Sequence, residues 1–330
     1  MGSAFSVPLA DRGHRVNLVG TPYDRALIEG LQRGEPHPGL GVELRLESFT
    51  TDALPELLPI TDVLVLAVSS LGTGWAAQQL AQHLGKPVPV LILTKGLAAH
   101  NGKLEPLSCQ LRRELPSRLN VPFAALAGPC IAAELAARRE TSVVLSAEKQ
   151  ATLGALLPLL ETPYYHVWPS TDFVGTELCA ALKNIYALAV GVAAGQRESL
   201  REPGGVGTHN HGSSLFTQAL YEMRRLVEVS GGSPETVHGL AGAGDLYVTC
   251  QGGRNGRMGA YLGRGLSYSE AKREHMPHET VEGAELVKSL EPTLRTLNDT
   301  LGGRLPLLGC VLEVICKDAP VRVAWKRFFA

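Results

Sequence analysis

Cysteine is sparse and has no framework spacing. Cys109, Cys130, Cys179, Cys250, Cys310 and Cys316 include no C-x-x-C pair. That pattern excludes a zinc ribbon or a disulfide scaffold and fits reduced, mostly buried thiols in a cytoplasmic protein. Aromatic residues are only 5% of the chain, and neither sign of charge is in excess: 31 Lys+Arg against 32 Asp+Glu leave a net charge of -1. Without surplus positive charge, a dedicated nucleic-acid or anionic-membrane binder is not expected. The N-terminus has no basic segment followed by an apolar run, so no signal peptide is expected. The longest apolar run, Cys179–Gly195, is interrupted by Lys183 and Asn184. It falls short of the roughly 20 apolar residues that a membrane span needs, and reads as a buried helix. His209-x-His211 lacks a third ligand, so no metal site is expected. What remains is 330 residues, 45% hydrophobic, which is enough for two domains with cores of their own and too apolar for disorder.

The first half alternates short apolar runs with helical patterns. Arg15–Gly20, Thr61–Val68, Val88–Thr94, Phe123–Ala127 and Thr141–Ser146 read as strands. Thr61–Val68 and Val88–Thr94 are almost continuously apolar, as strands covered on both faces are. Ala4–Arg12, Gly74–Leu84, Leu104–Leu115 and Ile131–Arg139 read as the helices between them. Such alternation predicts an α/β, Rossmann-like doubly wound parallel sheet over residues 1–168. Residues 169–330 read as an all-α domain with helices Phe173–Gly195, Ser213–Val229, Tyr268–Arg273, Glu282–Leu290 and Leu307–Lys317. The charged stretch Arg197–Glu202 and the turn Glu202–Gly207 read as part of a loop, Arg197–Gly212, between the first two.

A dinucleotide-binding domain opens strand, G-x-G-x-x-G, helix; the glycines let the backbone approach the pyrophosphate. This chain enters a helix at Gly2, which would be the third glycine, and a strand with two glycines is expected ahead of Met1. A central strand contributes on the order of 10 kcal/mol of burial, comparable with a whole domain's stability of about 5–15 kcal/mol.

Four constellations carry chemistry. Lys95-Gly96 closes an apolar strand, where ligands bind in doubly wound sheets. Gly128-Pro129-Cys130 joins a strand to a helix start, a place suited to anions. Lys183-Asn184 lies inside an apolar helix, where an ammonium needs a partner or a cavity and becomes a usable general acid/base. Gly239–Asp245 leads to Gly252-Gly253-Arg254-Asn255, in which glycines aim the carboxylate and Arg254 offers a fork for a phosphate.

Together and in this order, MGSAFSVPLADRGHRV, TKGL, GPCIAAEL, CAALKNIYALAVG, GLAGAGDLYVTC, GRNGRMGAYLGRG and TVEG make the chain resemble the NAD(P)-dependent glycerol-3-phosphate dehydrogenases of the prokaryotic and archaeal type. The resemblance covers both halves. It implies hydride transfer between NAD(H) or NADP(H) and C2 of glycerol 3-phosphate, giving dihydroxyacetone phosphate. By position it implies Lys183 as general acid/base, with Lys95 and Asp245 beside it. It implies Gly128, Cys130, Asn184, Thr249, Gly253, Arg254 and Asn255, with Lys95, Lys183 and Asp245, as substrate contacts. It implies Gly2, Thr21, Lys95, Ala132, Arg254, Thr280 and Glu282 as cofactor contacts. Neither an Asp for the ribose hydroxyls nor an Arg for a 2′-phosphate ends the strand Arg15–Gly20, so NAD and NADP both stand. The partners expected are a small phosphorylated substrate and a second copy of the chain in a homodimer. Two other readings stand beside this one: a ketopantoate-reductase-like or 2-hydroxyacid reductase, and a degenerate, non-catalytic binding protein.

Overall fold

A computed structural model describes residues 1–44, 46–200 and 208–329; the turn Glu202–Gly207 lies outside the described residues. The chain divides into two compact units. The first is Met1–Lys95 with Pro106–Thr176, and the second is Gly96–Glu105 with Glu177–Ala330. The division thus falls a few residues beyond the expected 168/169 boundary, and the second unit takes in a short segment from the first half.

In the first unit, α1 (Gly2–Asp11) leads to β1 (Asn17–Val19), α2 (Arg25–Gln32) and β2 (Glu47–Phe49). Next come α3 (Leu54–Leu57), β3 (Leu64–Leu66), α4 (Thr73–His83) and β4 (Val90–Ile92). The hairpin β5 (Leu97–His100) and β6 (Lys103–Pro106) follows, and belongs to the second unit through Glu105. The first unit resumes with α5 (Leu107–Glu114), β7 (Phe123–Ala127), α6 (Ala132–Ala136), β8 (Thr141–Ala147), α7 (Gln150–Leu160) and β9 (Tyr165–Ser170).

β3-β4-β7-β8-β9 form one sheet, parallel except where β7 meets β8. β1 and β2 pair in parallel as a separate ribbon. Among the described residues, then, β1 and β3 each carry a strand neighbour on one side only. The sheet is buried on both faces, as its apolar runs predict. Leu91, Ala124, Leu126, Val143 and Leu145 face a core with Phe5 of α1, Leu135 of α6 and Leu153 and Leu156 of α7. Val90, Ile92, Phe123 and Ala125 face a second core with Ala77 and Leu80 of α4 and Leu111 of α5.

The far end of α1 is tied down by side chains. Arg138 donates two bonds to Asp11, at 2.7 and 2.8 Å, and the Tyr164 hydroxyl donates a third at 2.6 Å. The Arg138 bond, foremost, holds the Asp11 carboxyl below its ordinary range.

α8 (Phe173–Leu200) begins in the first unit and runs into the second. Its helix continues through Leu200, past the expected end and into the segment read as a loop. Its Phe173–Gln196 stretch is long and apolar enough to cross a membrane, but 83% of its most apolar window is buried inside the protein; it is a core helix. The second unit continues with α9 (His209–Val229), α10 (Asp245–Cys250), α11 (Arg254–Gly263), α12 (Tyr268–His275), α13 (Glu282–Thr300) and α14 (Pro306–Lys317). This unit is helical as expected, apart from the β5–β6 hairpin, which packs against α13.

Glycines set the closest helix approach. A Cβ at Gly191 or Gly195 of α8 would collide with the backbone of Gly256 or Ala260 of α11. One at Gly259 or Gly263 would collide with the backbone of α8 at Leu188 or Val192. Backbone-to-backbone packing of this kind brings short side chains on the two helices within mutual reach.

Candidate active site

The expected site residues are divided between the units. The first holds Gly2, Thr21, Lys95, Gly128, Cys130 and Ala132, and the second holds Lys183, Asn184, Asp245, Thr249, Gly253, Arg254, Asn255, Thr280 and Glu282.

In the first unit these residues sit at helix starts or beyond strand ends. Gly2 starts α1, which has no side-chain cap, and a Cβ there would lie 3.0 Å from the Ala67 side chain beyond β3. Close backbone packing at an uncapped helix start suits a pyrophosphate. Thr21 follows β1; its backbone N–H and hydroxyl both donate to Asp24, at 2.8 and 2.6 Å. Lys95 is half-buried after β4, and Thr94 ahead of it donates to Val68 O at 2.9 Å. Gly128 has φ +134°, and a Cβ there would press on the Val143 backbone at 3.1 Å, so only glycine fits the turn. Cys130 is half-buried and Ala132 opens α6.

In the second unit the side chains converge. Lys183 and Asp245, 6% and 1% exposed, form a buried ion pair between α8 and the start of α10. A π turn, Leu240–Gly244, aims Asp245; a Cβ at Gly242 inside it would strike the Val237 backbone. Burial pushes the nearby Cys250 thiol up to about 12, against the positive charge of Lys183, so it stays protonated. The Thr249 hydroxyl donates back to Asp245 O at 2.6 Å, and its visible role is to steady the turn that carries the carboxylate. Gly253 is the N-cap of α11, with no side-chain cap bond, and a helix start of that kind suits an anion. Arg254, the first residue of α11, pairs with Glu282, the first residue of α13; both are partly exposed. The Asn255 amide donates to Asn184 Oδ1 at 2.9 Å and accepts from Gly283 N at 2.9 Å. Thr280 is exposed, two residues before Glu282.

The sequence alone does not single out the buried Glu222. Glu222 of α9 is fully buried and accepts four bonds. Gln218 Nε2 and Leu307 N donate to one oxygen at 3.0 and 2.7 Å; Leu308 N and the Tyr186 hydroxyl donate to the other at 2.9 and 3.1 Å. Burial pushes its carboxyl up to about 7 despite those donors. It ties α8, α9 and the start of α14 together. Its spacing gave a signal: Leu215, Ala219, Glu222 and Leu226 form one i, i+4, i+7, i+11 stripe, on which a glutamate is out of place.

Comparison with known proteins identifies both halves of the chain. The family described as NAD-dependent glycerol-3-phosphate dehydrogenase N-terminus matches residues 1–153, and its C-terminus counterpart matches residues 172–326. The NADP(+)-dependent glycerol-3-phosphate dehydrogenase of Archaeoglobus fulgidus is 34% identical over 322 residues, covering 97% of this chain and 94% of that protein. The glycerol-3-phosphate dehydrogenase [NAD(P)+] of Geobacter sulfurreducens is 32% identical over 327 residues, covering 98% and 92%. The crystal structure of glycerol-3-phosphate dehydrogenase from Coxiella burnetii superposes with a TM-score of 0.80 at 27% identity, covering 97% and 94%. The chain belongs to the NAD-dependent glycerol-3-phosphate dehydrogenase family.

Proposed function

We propose that this member of the family interconverts glycerol 3-phosphate and dihydroxyacetone phosphate, using NAD(H) or NADP(H). The observation that carries the reading is the buried Lys183–Asp245 pair, set one residue from the amide network that leads to Arg254. Neither a degenerate binding protein nor a reductase of non-phosphorylated hydroxy acids has use for the whole of that arrangement.

The first unit fits a dinucleotide at the uncapped, glycine-packed start of α1. Gly2, Thr21, Lys95 and Ala132 would hold it there. When bound, the nicotinamide supplies or accepts the hydride. Lys183 Nζ gives a proton to the substrate C2 oxygen as that oxygen gains charge in reduction, and takes it back in oxidation. Asp245 holds the ammonium in place. Arg254 and the first-turn N–H groups of α11 bind the phosphate, which anchors C2 at Lys183 and converts phosphate binding into orientation.

The direct test is oxidation of NADH and of NADPH with dihydroxyacetone phosphate, which also decides between the two cofactors. Lys183→Ala should cut turnover by about 10²- to 10⁴-fold and leave cofactor binding nearly intact. Turnover within tenfold of the parent would remove Lys183 from the role. A cytoplasmic location and a homodimer complete the proposal; reduced-thiol composition supports the first, and light scattering tests the second.

A further inference from the structure

The two members of the Lys183–Asp245 pair ride on different supports. Lys183 stands on α8, and Asp245 follows the π turn Leu240–Gly244. One helix, α9, is joined to both. It meets α8 where the Tyr186 hydroxyl, one turn along from Lys183, donates to Glu222 at 3.1 Å. It meets the other support through the turn Pro234–His238, which packs on α9 and on the π turn. That second contact is rigid: Val237 is fully buried, and a Cβ at Gly242 would strike its backbone.

We propose that Glu222 is a positioning residue: by clamping α8 to α9 through Tyr186, it fixes the place of Lys183 relative to Asp245. The inference rests on the function proposed above and deepens it.

The form of the clamp explains why a carboxyl is used. Glu222 and Tyr186 are both fully buried, and burying a carboxyl is costly. An apolar side chain of similar size would pack the same helices without that cost. It would not fix a direction. Leu307 N and Leu308 N donate to different oxygens of Glu222, at 2.7 and 2.9 Å, so the carboxyl cannot rotate and the bond from Tyr186 has one orientation. Those two N–H groups are first-turn donors of α14, and its N-cap residue, Leu305, gives no side-chain cap. Glu222 caps α14 from another helix, where negative charge is favoured. The carboxyl is thereby held whether or not Tyr186 is present, and Tyr186 adds α8 to the assembly. Burial, foremost, and the neighbouring Glu222 push the Tyr186 phenol well above its ordinary range, so it remains a donor. Gln218, one turn earlier on α9, also donates to Glu222, at 3.0 Å. Its bond stays within α9 and does not reach α8.

The test contrasts two bonds to the same carboxyl. Tyr186→Phe removes the one that comes from α8, and Gln218→Met removes the one made inside α9. Both should lower the melting temperature. Tyr186→Phe should also lower kcat for dihydroxyacetone phosphate reduction about three- to tenfold, the range for one buried hydrogen bond, with KM for that substrate unchanged. Gln218→Met should leave kcat close to the parent's. Amide hydrogen exchange without any ligand gives a second readout: segment 239–250 should exchange faster in Tyr186→Phe and at the parent's rate in Gln218→Met. Glu222→Gln, which sets an NH₂ against one of its donors, should behave like Tyr186→Phe. If that variant does not fold, the Tyr186 and Gln218 variants still decide. An unchanged kcat in Tyr186→Phe, or equal losses in the Tyr186 and Gln218 variants, would overturn the proposal in favour of a purely structural role. A parent protein that does not reduce dihydroxyacetone phosphate would overturn the proposed function itself, and hydrogen exchange would still report on the clamp.

Discussion

In the first unit, the groups assigned to the cofactor lie at helix starts, Gly2 of α1 and Ala132 of α6, or beyond the three-residue strands β1 and β4, Thr21 and Lys95, and the Thr21 hydroxyl is already given to Asp24. In the second unit, the groups assigned to substrate and proton transfer are side chains on helices, held by other buried side chains: Lys183 by Asp245, Asn184 by Asn255. Binding a dinucleotide asks for N–H groups at a distance any residue can provide, so side-chain identity matters little there. Moving one proton to one oxygen asks for a particular atom in a particular place, and that requires a packed surround.

The comparison breaks most readily at Arg254. Arg254→Ala should raise the KM for dihydroxyacetone phosphate about 10- to 100-fold, the range for lost charged hydrogen bonds. Thr21→Ala, in the backbone-dominated unit, should change the cofactor KM by no more than about threefold, since the hydroxyl already serves Asp24. Equal effects from the two substitutions would erase the distinction.

Glu222 sharpens it through pH. Its folded pKa of about 7 lies above the unfolded value of about 4.3. Its contribution is therefore full below about pH 4 and is lost as pH rises through 7, because the unfolded state binds fewer protons there. Glu222→Gln should flatten the melting-temperature slope between about pH 4.5 and 7.5. It should also cost about 1–3 kcal/mol at low pH, where the carboxyl is protonated. Leu307 N and Leu308 N point at different oxygens, so an amide NH₂ must face one of them. An unchanged slope would show that Glu222 does not titrate in this range.

Helical glycines give the smallest contrast. Gly154 of α7 has open space around its missing Cβ, and Gly154→Ala should stabilise by about 0.4–1 kcal/mol. Gly195→Ala drives a methyl into the α11 backbone and should destabilise by about 1–3 kcal/mol. Thermal melts of both variants would settle the sign.

Much of this could be read from the sequence, with gaps of identifiable origin. The buried strands showed as apolar runs, and Phe123–Ala127 is placed to the residue. β2, residues Glu47–Phe49, is too short to show a period. The β5–β6 hairpin had an Asn101-Gly102 signal with both residues at positive φ, yet its second strand was absorbed into the expected helix Leu104–Leu115, whose helical part is Leu107–Glu114. α11 was invisible because its glycines suggest a loop; they face α8 instead. Lys183 and Asp245 were legible because a charge in an apolar helix and an aspartate among glycines both need a reason. The internal engagement of Asn255 and Thr249 was not, since a motif names residues and leaves open which neighbours they already serve.

The chain passes between the units three times: after Lys95, after Glu105 and within α8 after Thr176. Cutting the gene at any single codon would therefore not separate them. A fragment beginning at Glu177 would leave behind the hairpin that packs on α13, and one ending at Thr176 would carry that hairpin without its helix. Genes for chimaeras that exchange one unit must move the hairpin codons with the distal half, as an insertion, so the two halves are inherited as one cistron whose parts are interleaved.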